Sequence, residues 1–205
     1  MNKMKLGLIA AALMALTTSA FADTSTGPYV GIGIGGYEGT NKLTASGLGS
    51  VTLGSSSLDF SGNVFGGYNW NFGAGSVAGE VSYNSNVGKL DQISDGTSSF
   101  DGKLEQNWQV SILPGYNFTK STEGYVRLGW TQAKGNISGN VGGVPGSFDH
   151  TFNGWVVGLG VDEAVTPNVA VRLEWQYLNF SSFNESGSEW EPRSTGVNLS
   201  LRYGF

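Results

Sequence analysis

Val197-Asn198-Leu199-Ser200-Leu201-Arg202-Tyr203-Gly204-Phe205 alternates apolar with small or polar residues through nine positions. Successive side chains of a strand point to opposite faces. Val197, Leu199, Leu201, Tyr203 and Phe205 therefore form one apolar row, and Asn198, Ser200, Arg202 and Gly204 the other. A soluble sandwich can use such a strand, and so can a wall that faces lipid. Two things separate these cases: where the aromatic residues fall, and which face carries the ionisable residues in the rest of the chain.

Outward from that strand the same period recurs seven times. Val30, Ile32 and Ile34 oppose Gly31, Gly33 and Gly35. Phe60, Val64, Tyr68 and Trp70 oppose Asp59, Ser61, Asn63 and Asn69, and Val77, Val81 and Tyr83 oppose Ala78, Glu80, Ser82 and Asn84. Trp108, Val110 and Ile112 oppose Glu105, Asn107, Gln109 and Ser111, while Val126, Leu128 and Trp130 oppose Arg127, Gly129 and Thr131. Trp155, Val157, Leu159 and Val161 oppose Gly154, Gly158 and Gly160; Val169, Val171, Leu173, Trp175 and Tyr177 oppose Ala170, Arg172, Glu174 and Gln176. Pro114 lacks a ladder donor and is expected to mark a bulge. Residues 39–56, 86–102, 135–151 and 181–193 are expected as long loops, and 71–75, 117–123 and 162–168 as short turns.

No outward residue in these strands is ionisable, whereas Asp59, Glu80, Glu105, Arg127, Arg172, Glu174 and Arg202 all fall on the opposite face. A Lys or Arg facing lipid at mid-bilayer would cost about 2–4 kcal/mol. A soluble barrel, wet outside and oily inside, would place its charges the other way round. The pattern predicts an all-β fold, an eight-stranded antiparallel up-and-down transmembrane β-barrel with short periplasmic turns and four long extracellular loops. An even strand count lets the first strand meet the last and leaves no edge in lipid. Trp70, Trp108, Trp130, Trp155, Trp175 and Tyr203 are expected in two aromatic girdles, with Tyr29, Tyr116, Tyr125 and Phe205 near the short turns. Glu80, Arg127, Arg172, Glu174 and Arg202 are expected to pair across a lumen that side chains fill.

Residues 1–22 read as a signal peptide, with Lys3 and Lys5, an apolar run Leu6–Leu16 and the small-x-small site Ala20-Phe21-Ala22; residues 23–205 form the barrel domain. Of 11 Lys and Arg, Lys3 and Lys5 leave with it, so 9 face 16 Asp and Glu and no basic footprint for nucleic acid remains. There is no Cys, which removes disulfide and thiolate chemistry. Gly31, Gly33 and Gly36 match a dinucleotide fingerprint, but Tyr37-Glu38-Gly39-Thr40-Asn41 does not start the helix that fingerprint needs. His150 is the single histidine, in Asp149-His150-Thr151-Phe152-Asn153. The loop carboxylates lack a metal-ligand spacing. No catalytic residue, cofactor or metal is expected.

Pro28-Tyr-Val-Gly-Ile-Gly-Ile-Gly-Gly36, Leu113-Pro-Gly-Tyr116, Tyr125-Val-Arg-Leu-Gly129 and Leu199-Ser-Leu-Arg-Tyr-Gly-Phe205 resemble the OmpA/OmpX/opacity-type outer-membrane barrels. The resemblance implies the outer membrane of a Gram-negative bacterium, both termini periplasmic. It implies Tyr203 and Phe205 as a signal for the barrel-assembly machinery, and outer-membrane lipids or lipopolysaccharide as surroundings. The cell-wall tether of full-length OmpA-type proteins is not expected. Deacylases of such membranes resemble His-x-Ser-Asn, and Phe152 stands here at the serine position. The expected role is structural or surface-interacting, with host or cell-surface ligands on the loops. The alternatives are a small-solute porin-like channel and, last, a lipid A-modifying enzyme.

Overall fold

The computed structural model describes residues 26–45, 49–54, 58–94, 98–141, 144–185 and 188–205. The proposed signal segment lies outside them. Among the described residues ten strands form one antiparallel sheet: β1 (Gly27–Ala45), β2 (Gly49–Gly54), β3 (Asp59–Phe72), β4 (Gly75–Ser94), β5 (Ser98–Asn117), β6 (Thr122–Val141), β7 (Val144–Ala164), β8 (Val169–Phe180), β9 (Phe183–Glu185) and β10 (Ser188–Gly204). β1 pairs with β3 on one side and β10 on the other, so eight strands close into a barrel. β2 and β9 pair back onto the distal parts of β1 and β10. The register of closure runs from Tyr29↔Gly204 to Ala45↔Ser188. Closure satisfies every edge, as a wall in hydrocarbon demands.

Three expectations need correction. Much of the sequence assigned to long loops is paired strand: β4 and β5 pair out to Ser94↔Ser99, and β6 and β7 out to Val141↔Val144. These ribbons are rich in Gly, Ser, Thr and Asn, so they lack the alternation that marks a half-buried strand. Next, Pro114 sits in register opposite Val77 without a bulge. β4 shifts register against β5 between Asn86 and Lys89 and between Leu90 and Ile93. On β5 a bulge lies instead at Gln106-Asn107, between the pairs Glu105↔Lys134 and Trp108↔Gln132. Gln106 adopts φ 51° there, a left-handed conformation that costs a non-glycine residue roughly 1–2 kcal/mol. Finally, that extra residue reverses the alternation, so Leu104 turns into the lumen and Glu105 faces out. Gln106→Gly should raise unfolding stability in lipid by roughly 0.5–1 kcal/mol, since relief of strain exceeds the entropy glycine adds; a lower denaturant midpoint would contradict the assignment.

The wall changes polarity along its length. Toward the end that holds both termini, the outside is apolar: Ile32, Ile34, Val110, Ile112, Leu128, Leu159, Leu199 and Leu201 are exposed. Two aromatic tiers bound this belt. Near the termini, ring pairs form between Tyr68 and Trp70, Tyr116 and Phe118, and Tyr203 and Phe205; at the distal rim they form between Tyr83 and Trp108, and Trp155 and Tyr177. Beyond the distal tier the outward positions become polar, with exposed Glu38, Ser85, Glu105, Lys134, Thr151 and Asn153; Phe60 on β3 and Leu58 just before it are exceptions. At that level the lumen is apolar, packed with Tyr37, Val87, Leu104, Ala133, Phe152, Val156, Leu178 and Phe180. The distal section is built like a water-soluble barrel, and the other section is built inside out.

Candidate functional site

The lumen of the belt section is filled by charge. Glu174, Arg127, Glu80, Arg172, Asp162, Arg202 and Glu123 form a chain that alternates in sign across β8, β6, β4, β7 and β10. Arg127 reaches Glu174 Oε1 with Nε at 2.9 Å and Glu80 Oε1 with Nη2 at 2.5 Å. Arg172 Nη1 donates to Glu80 Oε2 at 2.6 Å, and its Nε and Nη2 grip Asp162 bidentately at 2.7 and 2.9 Å. Arg202 Nη1 donates to Asp162 Oδ2 at 2.8 Å and lies 3.8 Å from Glu123 Oε2. All seven side chains are buried. Such burial is tolerated only because each charge is paired and hydrogen-bonded.

Aromatic side chains hold this chain in place. Tyr29 donates to Glu80 Oε2 at 2.9 Å, and Tyr125 donates to Glu174. The Arg172 guanidinium carbon lies 4.6 Å from the Phe65 ring centroid and 4.9 Å from that of Tyr125; Arg202 lies 4.3 Å from that of Tyr29. Desolvated cation–π contacts of this kind contribute up to about 2 kcal/mol. Space for the rings comes from glycines directly across the ladder. Phe65 lies over Gly31, and Tyr125 over Gly160, where a Cβ would strike the ring. Gly160→Val should cost about 1–3 kcal/mol by overpacking. It should show as a lower denaturant midpoint, with less effect in a Tyr125→Ala background; equal loss in both backgrounds would contradict the close approach.

An amide layer separates the charges from the apolar cap. Gln176 donates to Glu174 and accepts from Gln109 Nε2 at 3.1 Å and Tyr37 OH at 3.2 Å. Asn107 Oδ1 accepts from Gln109 and Asn84, its Nδ2 donates to Thr131 Oγ1 at 2.6 Å, and Asn84 Oδ1 accepts from Asn63 at 2.9 Å. Tyr37 bridges the levels: its hydroxyl accepts from Asn198 Nδ2 at 2.8 Å while its ring packs in the cap.

The structure brings Glu80, Arg127, Arg172, Glu174 and Arg202 into one cluster. It adds Asp162 and Glu123, which the sequence places in turns because β7 and β6 extend further than the apolar alternation does. Tyr29 and Tyr125, expected in a girdle, point into the lumen at 2% and 6% exposure. Their parity, one residue off Val30 and Val126, carries that information. Phe65 and Leu113 are inward apolar residues that a polar-inside rule hides. Trp70, Trp108, Trp130, Trp155, Trp175 and Tyr203 all face outward, and Tyr203 and Phe205 pack edge to face with centroids 5.2 Å apart. The His150 ring lies 4.8 Å from that of Phe152, which turns into the cap. Among the described residues no group of three His, Cys, Asp or Glu is arranged to hold a metal.

A closed antiparallel barrel with an apolar belt outside and a paired-charge lumen inside defines an integral membrane β-barrel. The chain belongs to the outer membrane protein beta-barrel domain family, which it matches over residues 8–205. It is 28% identical over 188 residues to the 31 kDa outer-membrane immunogenic protein of Brucella melitensis biotype 1, a match spanning 82% of this chain and 77% of that protein. It is 30% identical over 143 residues to outer membrane protein A of Salmonella typhi, across 69% of this chain but 39% of that longer protein. Its fold is similar to the crystal structure of Neisserial surface protein A, with a TM-score of 0.52 and 23% identity, covering 88% of this chain and 98% of that one. The chain is thus an outer-membrane protein.

Proposed function

We propose that this protein is a sealed barrel that carries no solute and holds its distal ribbons at the cell surface for contact with other surfaces. The observation that carries this reading is the lumen, filled in series by paired charges, amides and an apolar cap. A solute path needs a continuous wet passage, and an eight-stranded barrel has an interior just wide enough for side chains to fill. The short connections at the terminal end favour both termini in the periplasm, with the ribbons outside. β6 continues eleven residues past Trp130 to Val141, about 25–30 Å beyond the distal tier for a tilted strand. That reach suits contact beyond the membrane surface, and the kinship with outer-membrane immunogenic proteins supports exposure of that end. Tyr203 and Phe205 remain the proposed signal for the assembly machinery, and the belt fits the membrane lipids.

In planar bilayers the purified barrel should give no discrete conductance steps. Reproducible steps that change size in Arg172→Met would replace this reading with a small-solute channel. Exchange of the ribbon tips for those of an unrelated barrel should abolish binding of intact cells to host or bacterial surfaces while heat-modifiable gel migration persists. Unchanged binding would remove the surface role.

A further inference from the structure

The lipid-facing wall is not uniform. Over β3 and β4 it dips into a shallow, open groove of about 410 Å³ bounded by Val64, Gly66, Val81, Tyr83 and Trp108. The distal edge is a ledge formed by Tyr83 and Trp108, whose ring centroids lie 5.0 Å apart. Toward the termini Tyr68 and Trp70, 4.8 Å apart, make a second ledge. Between them the floor dips at Gly66, which carries no side chain and pairs with Val81, while Gly79 keeps the wall low beside Tyr68. A Cβ at Gly66 would meet nothing nearer than the Tyr29 carbonyl oxygen at 3.5 Å, and one at Gly79 nothing nearer than the Trp70 ring at 3.8 Å. Nothing in the packing of the wall therefore requires glycine at these two positions. Gly79 pairs with Tyr68 and lies four residues from Tyr83, so the ledges stand about 13 Å apart along the strand.

We propose, on the membrane assignment and the outward-facing distal end, that this trough holds one acyl chain of a lipid from the distal leaflet, more tightly than the rest of the wall holds its boundary lipids. The trough is continuous with the apolar belt, so hydrocarbon is what surrounds it. Its ledges rise above the floor, so a broad surface such as a second barrel would rest on them and leave the floor empty. A single chain reaches the floor and recovers the dispersion contacts that an unfilled groove forfeits. Just beyond the Tyr83–Trp108 ledge the wall turns polar. Ser85 Oγ accepts the Gly62 N–H at 2.9 Å and keeps a proton to donate. Exposed Glu105 and Lys134 face each other across β5 and β6. These groups sit at headgroup level for a lipid whose chain runs down the trough.

Gly66→Leu fills the trough from outside without entering the lumen. Wild-type protein extracted from outer membranes in mild detergent should carry one lipid adduct in native mass spectrometry. Gly66→Leu should reduce that adduct roughly tenfold, Gly66→Ala should reduce it less, and Val126→Leu on β6 should leave it intact. Heat-modifiable migration of each variant reports folding, and absence of the protein from the outer-membrane fraction would sink the membrane assignment before any lipid is scored. If Gly66→Leu does not fold, the Gly66→Ala comparison decides. Equal adducts in wild type and the filled variants, or none in any, overturn the proposal. A wild-type dimer that Gly66→Leu converts to monomer also overturns it, and assigns the trough to a second copy of this chain.

Discussion

Arg172→Met should leave a barrel that still folds into lipid vesicles but unfolds at lower denaturant, with a loss of about 3–5 kcal/mol. Arg172 lies at the middle of the lumen chain and gives hydrogen bonds to both Glu80 and Asp162. Its removal strips one partner from each of two buried carboxylates, and an uncompensated buried charge costs far more than an intact pair contributes. The loss should be recoverable. Glu80→Met added to Arg172→Met leaves Arg127 still paired with Glu174 and Asp162 still paired with Arg202. The double variant should regain about 2 kcal/mol, the signature of coupled sites. If the two losses simply add, the chain of alternating charges is not one energetic unit. Both measurements are read from tryptophan fluorescence during denaturant unfolding out of vesicles.

The second large effect tests the change of polarity along the wall. Leu128→Arg, outward between the aromatic tiers, should cost about 2–4 kcal/mol because it puts a cation into hydrocarbon. Thr151→Arg, outward beyond the distal tier, should fall within about 0.5 kcal/mol of wild type because that surface is wet. On the inside, level with the distal tier, Leu178→Asp buries a carboxyl group among Tyr37, Phe152 and Phe180 with no partner, and should cost about 3 kcal/mol or more. The same three changes in a barrel immersed along its whole length would give a different order, with Thr151→Arg as damaging as Leu128→Arg. That order, taken from denaturant midpoints in vesicles, decides where the membrane ends on this molecule.

Much of this was legible in the chain itself. Period-two alternation with every belt charge on one face set the eight strands, their inside-out polarity and the outward aromatic residues, because a one-residue slip would move a whole row to the wrong side. It also placed Glu80, Arg127, Arg172, Glu174 and Arg202 on the lumen face. The distal ribbons are rich in Gly, Ser, Thr and Asn and their apolar residues recur at no fixed period, so the pairing there leaves no periodic trace in the sequence. Glu105 faces out against its sequence parity because the bulge at Gln106 comes from how β5 meets β6, which no local pattern records.

Within the belt, away from the bulge at Gln106, the sequence by itself determined which row of each strand faces out and which faces in, since that depends only on parity along an unbroken strand. Who touches whom inside was decided by the tertiary structure. The stagger between strands brings Asp162 and Glu123 level with Arg172 and Arg202, and sets Phe65 over Gly31. Closure of the cylinder places residues as far apart as Glu80 and Arg172 within 2.6 Å. Those distances depend on the register and curvature of the whole sheet, so pairing in the lumen exists only once the barrel has closed.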